Sequence, residues 1–245
     1  MNPSPCNTPI SSALDRREHA AGERPVPRGV LTKLKATTMP AFHWSKPPGI
    51  ITQDFEQRHP GSGASVSVSP IVMWACWAVE GLHYLGDIDR AHTGNRAQVF
   101  GHHPDIVDIA NVRWATGTAI TALDLCAAAL GNAFCGNVGS HEMDLRDFES
   151  GKIRNRPKLP APALRWVDAV LNDARYVETH DARNPFTHSW LNRILKVGGP
   201  SGAAGRTDFV IRSSKRQTNA RHLVEMARDL ATDQTVAFLN VFDGL

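Results

Sequence analysis

Cysteine and long apolar runs are both scarce in this chain, and each scarcity removes a class of protein. Its four cysteines, Cys6, Cys76, Cys126 and Cys135, form no C-x-x-C pair. They are too few and too scattered for a disulfide scaffold or a zinc finger, and free thiols in a reducing compartment are expected. The longest uninterrupted apolar stretch, residues 71–79, stops at Glu80. A membrane-spanning helix needs about 20 such residues, so the stretch predicts a core helix and no membrane association. Residues 1–10 hold three prolines and no basic cluster ahead of an apolar run. No secretory signal is expected, and the chain reads as cytoplasmic. Charge of one sign is missing too: 27 Lys and Arg against 24 Asp and Glu give a net +3. Such a mild excess permits an anionic partner without selecting one.

Metal and cofactor motifs are equally thin. Glu80 and His83 make one Glu-x-x-His pair, whereas a di-iron bundle uses two with further carboxylates. His102, His103 and His141 lack ligand spacing. Residues 200–207 read P-S-G-A-A-G-R-T; relative to a phosphate-binding loop, Pro replaces the first Gly and Arg206 replaces the Lys, and the stretch follows a helical pattern instead of a strand. No metal and no cofactor is expected.

What the chain does have is a change of texture near residue 70. Ten of its sixteen prolines lie before that point, and they predict a flexible, Pro-rich arm over residues 1–70. From residue 71 to 245 the pattern is helical. Trp74, Trp77, Ala78, Leu82 and Leu85 mark one apolar face. A second helix is predicted from Pro104 to Leu130, bent at Thr116-Gly117-Thr118, and a third from Ala163 to His180. A fourth carries Phe186, Trp190, Ile194 and Val197 at spacings of three and four, and a last runs from about Gln217 to Asn240. The short β-branched run from Thr207 to Arg212 suits an edge strand. The expected fold is an all-α bundle of four to five helices.

The junction before the fourth helix carries the chemistry. Pro disfavours the α conformation in the residue ahead of it, so Asn184 is predicted as an N-cap with Pro185 at the first helical position. His188 then falls near the first turn, where the positive end of the dipole favours the neutral imidazole, and Arg183 lies just outside. Arg175 with His180, Arg96 with His102 and Arg216 with His222 have similar spacing, but only Arg183 is followed by Asn and opens a predicted helix.

Arg183, a polar residue after it, three further positions and His188, at a helix start in an all-helical domain, resemble the HEPN family. That resemblance implies a helical bundle that forms a homodimer and cleaves RNA without a metal, in many members as a toxin with an antitoxin partner or as a defence protein. It implies that Arg183 stabilises the phosphorane, His188 moves the 2′-OH proton and Asn184 orients them. A basic segment, Arg206, Arg212, Lys215, Arg216 and Arg221, with Asp208 as its acidic member, suits an RNA phosphate backbone. The expected function is a metal-independent endoribonuclease. The alternative is a non-catalytic helical module that binds RNA or a protein partner.

Overall fold

Helical packing begins well before residue 71. The computed structural model describes residues 44–60, 62, 64–91, 104–135, 143–150, 156–188, 194–197, 208–212 and 217–245, all within one compact unit, Phe42–Leu245. Helix α1 (Pro48–Arg58) has proline at its first helical position, where the missing N–H has no intrahelical partner to lose. Ile51 and Phe55 are buried in the main core, and the Phe55 ring stacks on Phe242 with centroids 4.4 Å apart. Lys46 joins Asp54 at 2.6 Å to Asp243 at 2.8 Å. The expected arm boundary at residue 70 is therefore corrected: Trp44 and α1 already pack on the core of the bundle. Proline obscures the helical period without preventing a helix that starts on it. The arm expected over residues 1–43 lies outside the described residues.

After the single turn α2 (Ala64–Ser67) comes α3 (Ser69–Ala91). Its buried stripe is Val72, Ala75, Cys76, Val79 and Leu82, while Trp74 and Trp77 stand 60% and 50% exposed. The predicted face is thus rotated, because the tryptophans drew the pattern toward the solvent side. Helix α4 (Pro104–Leu130) is one continuous helix through Thr116-Gly117-Thr118. The Thr116 hydroxyl donates to the Val112 carbonyl at 2.9 Å. Helix α4 continues into a π turn, Gly131–Cys135. The segment Ile109–Cys135 is long and apolar enough to cross a membrane by length and composition, a breadth of apolarity the run-length argument did not anticipate; 56% of its most apolar window is buried inside the protein. A helix covered on several sides carries apolar residues around most of its circumference.

Two short 3-10 turns, Leu145–Phe148 and Arg156–Lys158, lead to α5 (Ala161–Leu171) and α6 (Ala174–His188). The predicted third helix is divided at Asn172-Asp173. Asn172 closes α5 by donating its side-chain amide to the Asp168 carbonyl at 2.7 Å, and Asp173 opens α6 by accepting the Arg175 N–H at 2.8 Å. That division resets the helical phase, so Tyr176, Thr179 and Ala182 are buried and Val177 is exposed. Conversely, the break expected at residues 181–184 is absent, and α6 continues to His188. Pro185 lies in its last turn, so the hydrogen bond it cannot donate to the Asp181 carbonyl is lost near the end of the helix.

The predicted fourth helix is corrected as well. Residues Ile194–Val197 form strand β1, paired antiparallel to β2 (Asp208–Arg212), which in turn pairs with β3 (Gln217–Asn219). Strand β2 is central instead of an edge: Val210 faces Leu195 on one side and Asn219 on the other. Helix α7 (Ala220–Asp243) starts from Asn219, whose side chain accepts the Arg221 N–H at 2.9 Å. Helix α4 is the hub of the bundle, packing most extensively on α3 and α7 and also on α6. The architecture is an all-α bundle with six helices longer than one turn among the described residues, one more than predicted because α1 falls in the proline-rich part.

Candidate functional site

Helix α6 carries Tyr176, His180 and Arg183 at spacings of four and three, which places them side by side on its surface. The 3-10 turn Leu145–Phe148 brings Arg146 to them. Leu145 and Phe148 are both fully buried and pin the turn. Asp144 caps it, accepting the Arg146 N–H at 2.8 Å and the Asp147 N–H at 3.2 Å, while Asp147 accepts the Asp144 N–H at 3.0 Å. With its backbone held this way, the exposed Arg146 side chain donates Nη2–H to Nδ1 of His180 at 3.2 Å and reaches the Tyr176 hydroxyl. The Tyr176 and His180 rings lie 5.8 Å apart, tilted by 39°.

Asp124 of α4 completes the cluster. Its Oδ1 accepts the Leu145 N–H at 3.2 Å, and its Oδ2 lies 3.9 Å from Arg183 Nη1. Burial pushes its pKa up to about 6, reinforced by the Asp144 charge and opposed by the Leu145 hydrogen bond, Arg183 and Arg146. Burial also lowers the His180 pKa below its ordinary value, helped by the charges of Arg146 and Arg183 and opposed by Asp181 and Asp144. Tyr176 is raised to about 12 by burial and the Asp124 charge, so it stays a neutral hydroxyl. The Nδ1 that accepts from Arg146 is unprotonated, and both guanidinium charges disfavour the imidazolium. A cleft of about 390 Å³ opens beside it, lined by Arg146, Tyr176 and His180 with acidic residues Glu149, Asp168 and Asp181 on its walls.

The predicted site residues separate. Arg183 is in this cluster. Asn184 and His188 follow it on the same helix, so the N-cap role for Asn184 and the first-turn position of His188 are corrected: residue 183 lies inside a helix that began at Ala174. Positions five apart on one helix are roughly 140° apart around its axis. The side chains of Asn184 and His188 lie outside the described residues. Of the basic segment, Arg206, Lys215 and Arg216 lie outside them too; Arg212 pairs with Gln217 in the sheet, and Arg221 is exposed at the start of α7.

Sequence spacing alone gives His180 no role beyond its match with Arg175. Arg175 is occupied elsewhere, bonded to Asp173 at 2.8 Å and Asp233 at 2.7 Å. His180 instead meets Arg146, 34 residues away in sequence. Its three-residue spacing to Arg183 was visible in the chain. Asp144-x-x-Asp147, a capping signature ahead of Leu145 and Phe148, was the available signal for the turn that delivers Arg146. Other polar residues weighed for chemistry have local partners: Glu80 accepts the Trp44 indole N–H at 2.7 Å, and His83 Nε2 meets the Thr232 hydroxyl at 2.9 Å. Cys76 and Cys126 are buried thiols whose pKa values burial raises, that of Cys76 to about 12. Among the described residues, no three of His, Cys, Asp and Glu gather as a metal site. Comparison with family models, with curated proteins and with solved structures finds no match to this chain.

Proposed function

We propose that the protein is a metal-independent endoribonuclease acting in the cytoplasm as a toxin or defence protein and assembling as a homodimer, with Arg183, His180 and Arg146 as its reacting groups in place of the Arg183 and His188 pair on which the resemblance to the HEPN family rests. The observation that carries this reading is a histidine whose Nδ1 accepts a hydrogen bond from Arg146 on the wall of a cleft, with Arg183 one turn further along the same helix. A neutral imidazole accepts a proton near neutral pH, and fixed cations stabilise the charge that develops on a phosphorane. In the free protein, Arg146 donates to Nδ1, so the ring proton resides on Nε2. An RNA phosphate recruits the Arg146 guanidinium and frees Nδ1 to take the 2′-OH proton. The 2′-oxygen then attacks the adjacent phosphorus, the bond to the 5′-oxygen breaks, and that oxygen leaves with a proton from water or the imidazolium. The products are a 2′,3′-cyclic phosphate and a 5′-OH.

The test is incubation of the purified full chain with a labelled single-stranded RNA, in EDTA and in magnesium. Cleavage to cyclic phosphate ends is expected in both, with His180→Ala and Arg183→Ala each slower by roughly two to four orders of magnitude. A loss confined to His188→Ala moves the base to the end of α6. The absence of cleavage in both buffers removes the enzymatic reading. The alternative, a non-catalytic helical module binding RNA or a protein partner, is favoured by the exposed edge-to-face pair Trp74 and Trp77, whose centroids are 5.2 Å apart on α3.

A further inference from the structure

Arg183 lines a second concavity, distinct from the cleft beside His180. It is a groove of about 820 Å³ between α3 and α4, within the roughly 300–1,000 Å³ of ligand sites. Tyr84 and Trp114 are among its walls, 66% and 39% exposed, large aromatic surfaces left to solvent. Trp114 reaches across to α3 at Gly81, where a Cβ would sit 3.4 Å from the indole Cη2. The other glycine of the groove, Gly117, has nothing within 4 Å of a would-be Cβ. Arg113 and Arg183 supply two positive charges, and no Asp or Glu is among the described residues that line it. The cleft beside His180, by contrast, has three carboxylates.

We infer that this groove binds an unpaired nucleobase of single-stranded RNA, stacked on Trp114 and Tyr84, with the neighbouring phosphates held by Arg113 and Arg183. The inference rests on the RNA-directed reading above and specifies its substrate. Exposed aromatic rings beside guanidinium groups bind flat bases on a polyanionic strand, and a base already paired in an A-form duplex cannot enter such a groove. Asn111 and Thr118, also on its wall, offer hydrogen bonds to a base edge. Arg183 lines this groove and lies three residues from His180 on α6, so a strand seated here brings a backbone phosphate toward the His180 cluster.

The experiment uses a fluorescent ten-nucleotide 2′-O-methyl RNA, which cannot be cleaved, and reads its affinity for the full chain by anisotropy. Trp114→Ala and Gly117→Leu are each expected to weaken binding about 10-fold or more. Gly117→Leu fills the groove without removing any packing, and circular dichroism checks both folds. An abasic strand and the same sequence as a duplex should bind weakly to wild type. Equal affinity for intact, abasic and duplex strands, or binding indifferent to both substitutions in folded protein, overturns the inference, as does equal competition by polyglutamate, which would assign the groove to an acidic protein partner. Base-dependent binding without any RNA cleavage would remove the nuclease reading and leave the groove. Cleavage without base-dependent binding would do the reverse.

Discussion

Arg146 directs Nη2–H at Nδ1 of His180 across 3.2 Å, joining a capped turn to the middle of α6. A guanidinium only donates, so this contact requires an unprotonated Nδ1 and penalises the imidazolium. His180 should therefore titrate below the ordinary histidine range in an NMR experiment on its ring signals. Replacing Arg146 with Met should move the midpoint upward, although burial and Arg183 still act. A midpoint unchanged by the substitution would sever the proposed link. The sign for stability follows from the lowered folded-state value. The contribution of His180 is complete above about pH 6.5, the unfolded value, and is lost as pH falls through the folded one.

Asp124 responds in the opposite direction. Its carboxyl, raised by burial to about 6, binds its proton more tightly in the folded state, so its contribution is favourable below about pH 4 and is lost as pH rises through about 6. Moving a carboxyl over that interval is worth up to roughly 3 kcal/mol. Asp124→Asn retains the acceptor for the Leu145 N–H and should raise the free energy of urea unfolding by about 1–3 kcal/mol at pH 8, with little gain at pH 4. An equal gain at both pH values would show that burial of the charge is not the cause.

The all-α class was legible in the chain because buried residues such as Leu223, Ala227, Leu230 and Phe238 keep helical spacing over the whole of α7. Phase was less legible. Trp74 and Trp77 are among the most apolar groups of α3 yet face solvent, since periodicity marks an apolar stripe without saying which side is covered. Asn172-Asp173 falls inside a predicted helix, whereas Asn184-Pro185 reads locally as a helix junction. The first forms one, through the bond from Arg175 to the Asp173 side chain, and the second is overridden by continuation of α6. Of the five residues of the candidate site, only Arg183 was singled out from the sequence, although the spacing of Tyr176 and His180 ahead of it puts all three on one side of a helix. Asp124 and Arg146 were not legible, because only the fold brings α4 and the capped turn to α6.

Thr179 is fully buried on α6, and its hydroxyl has no hydrogen-bond partner among the described residues. An unpaired buried hydroxyl costs about 1–3 kcal/mol of desolvation. Thr179→Val keeps the branched shape and removes that cost, so its thermal midpoint should rise. A fall would mean that the hydroxyl is hydrogen-bonded in solution.

Gly81 lies inside α3, where glycine costs about 0.5–1 kcal/mol relative to alanine. A methyl group there would sit in ordinary contact, 3.4 Å from the Trp114 indole. Gly81→Ala should stabilise the fold by about that amount and leave Trp114 in place, which chemical denaturation and the tryptophan emission maximum can check together. A larger side chain such as Leu should displace the indole and shift the emission.

The proline-rich start of the bundle gives the most demanding stability test. Phe55 is 1% exposed, stacks on Phe242 and meets Phe134 edge to face at 5.9 Å, so α1 supplies core surface that α7 would otherwise expose. Phe55→Ala should cost about 3–5 kcal/mol, the usual range for removing a buried phenyl group. Most domains hold only about 5–15 kcal/mol in total, so a chain beginning at Ile71 should unfold at markedly lower denaturant than one beginning at Phe42. If the Ile71 fragment matches the longer chain in stability, or Phe55→Ala is neutral, then α1 is an appendage and the bundle ends where the proline content falls. A large loss in both fixes the edge of the folded unit ahead of Trp44. Lys46→Met should then weaken the same junction by less than Phe55→Ala, because its bonds to Asp54 and Asp243 are partly exposed to solvent.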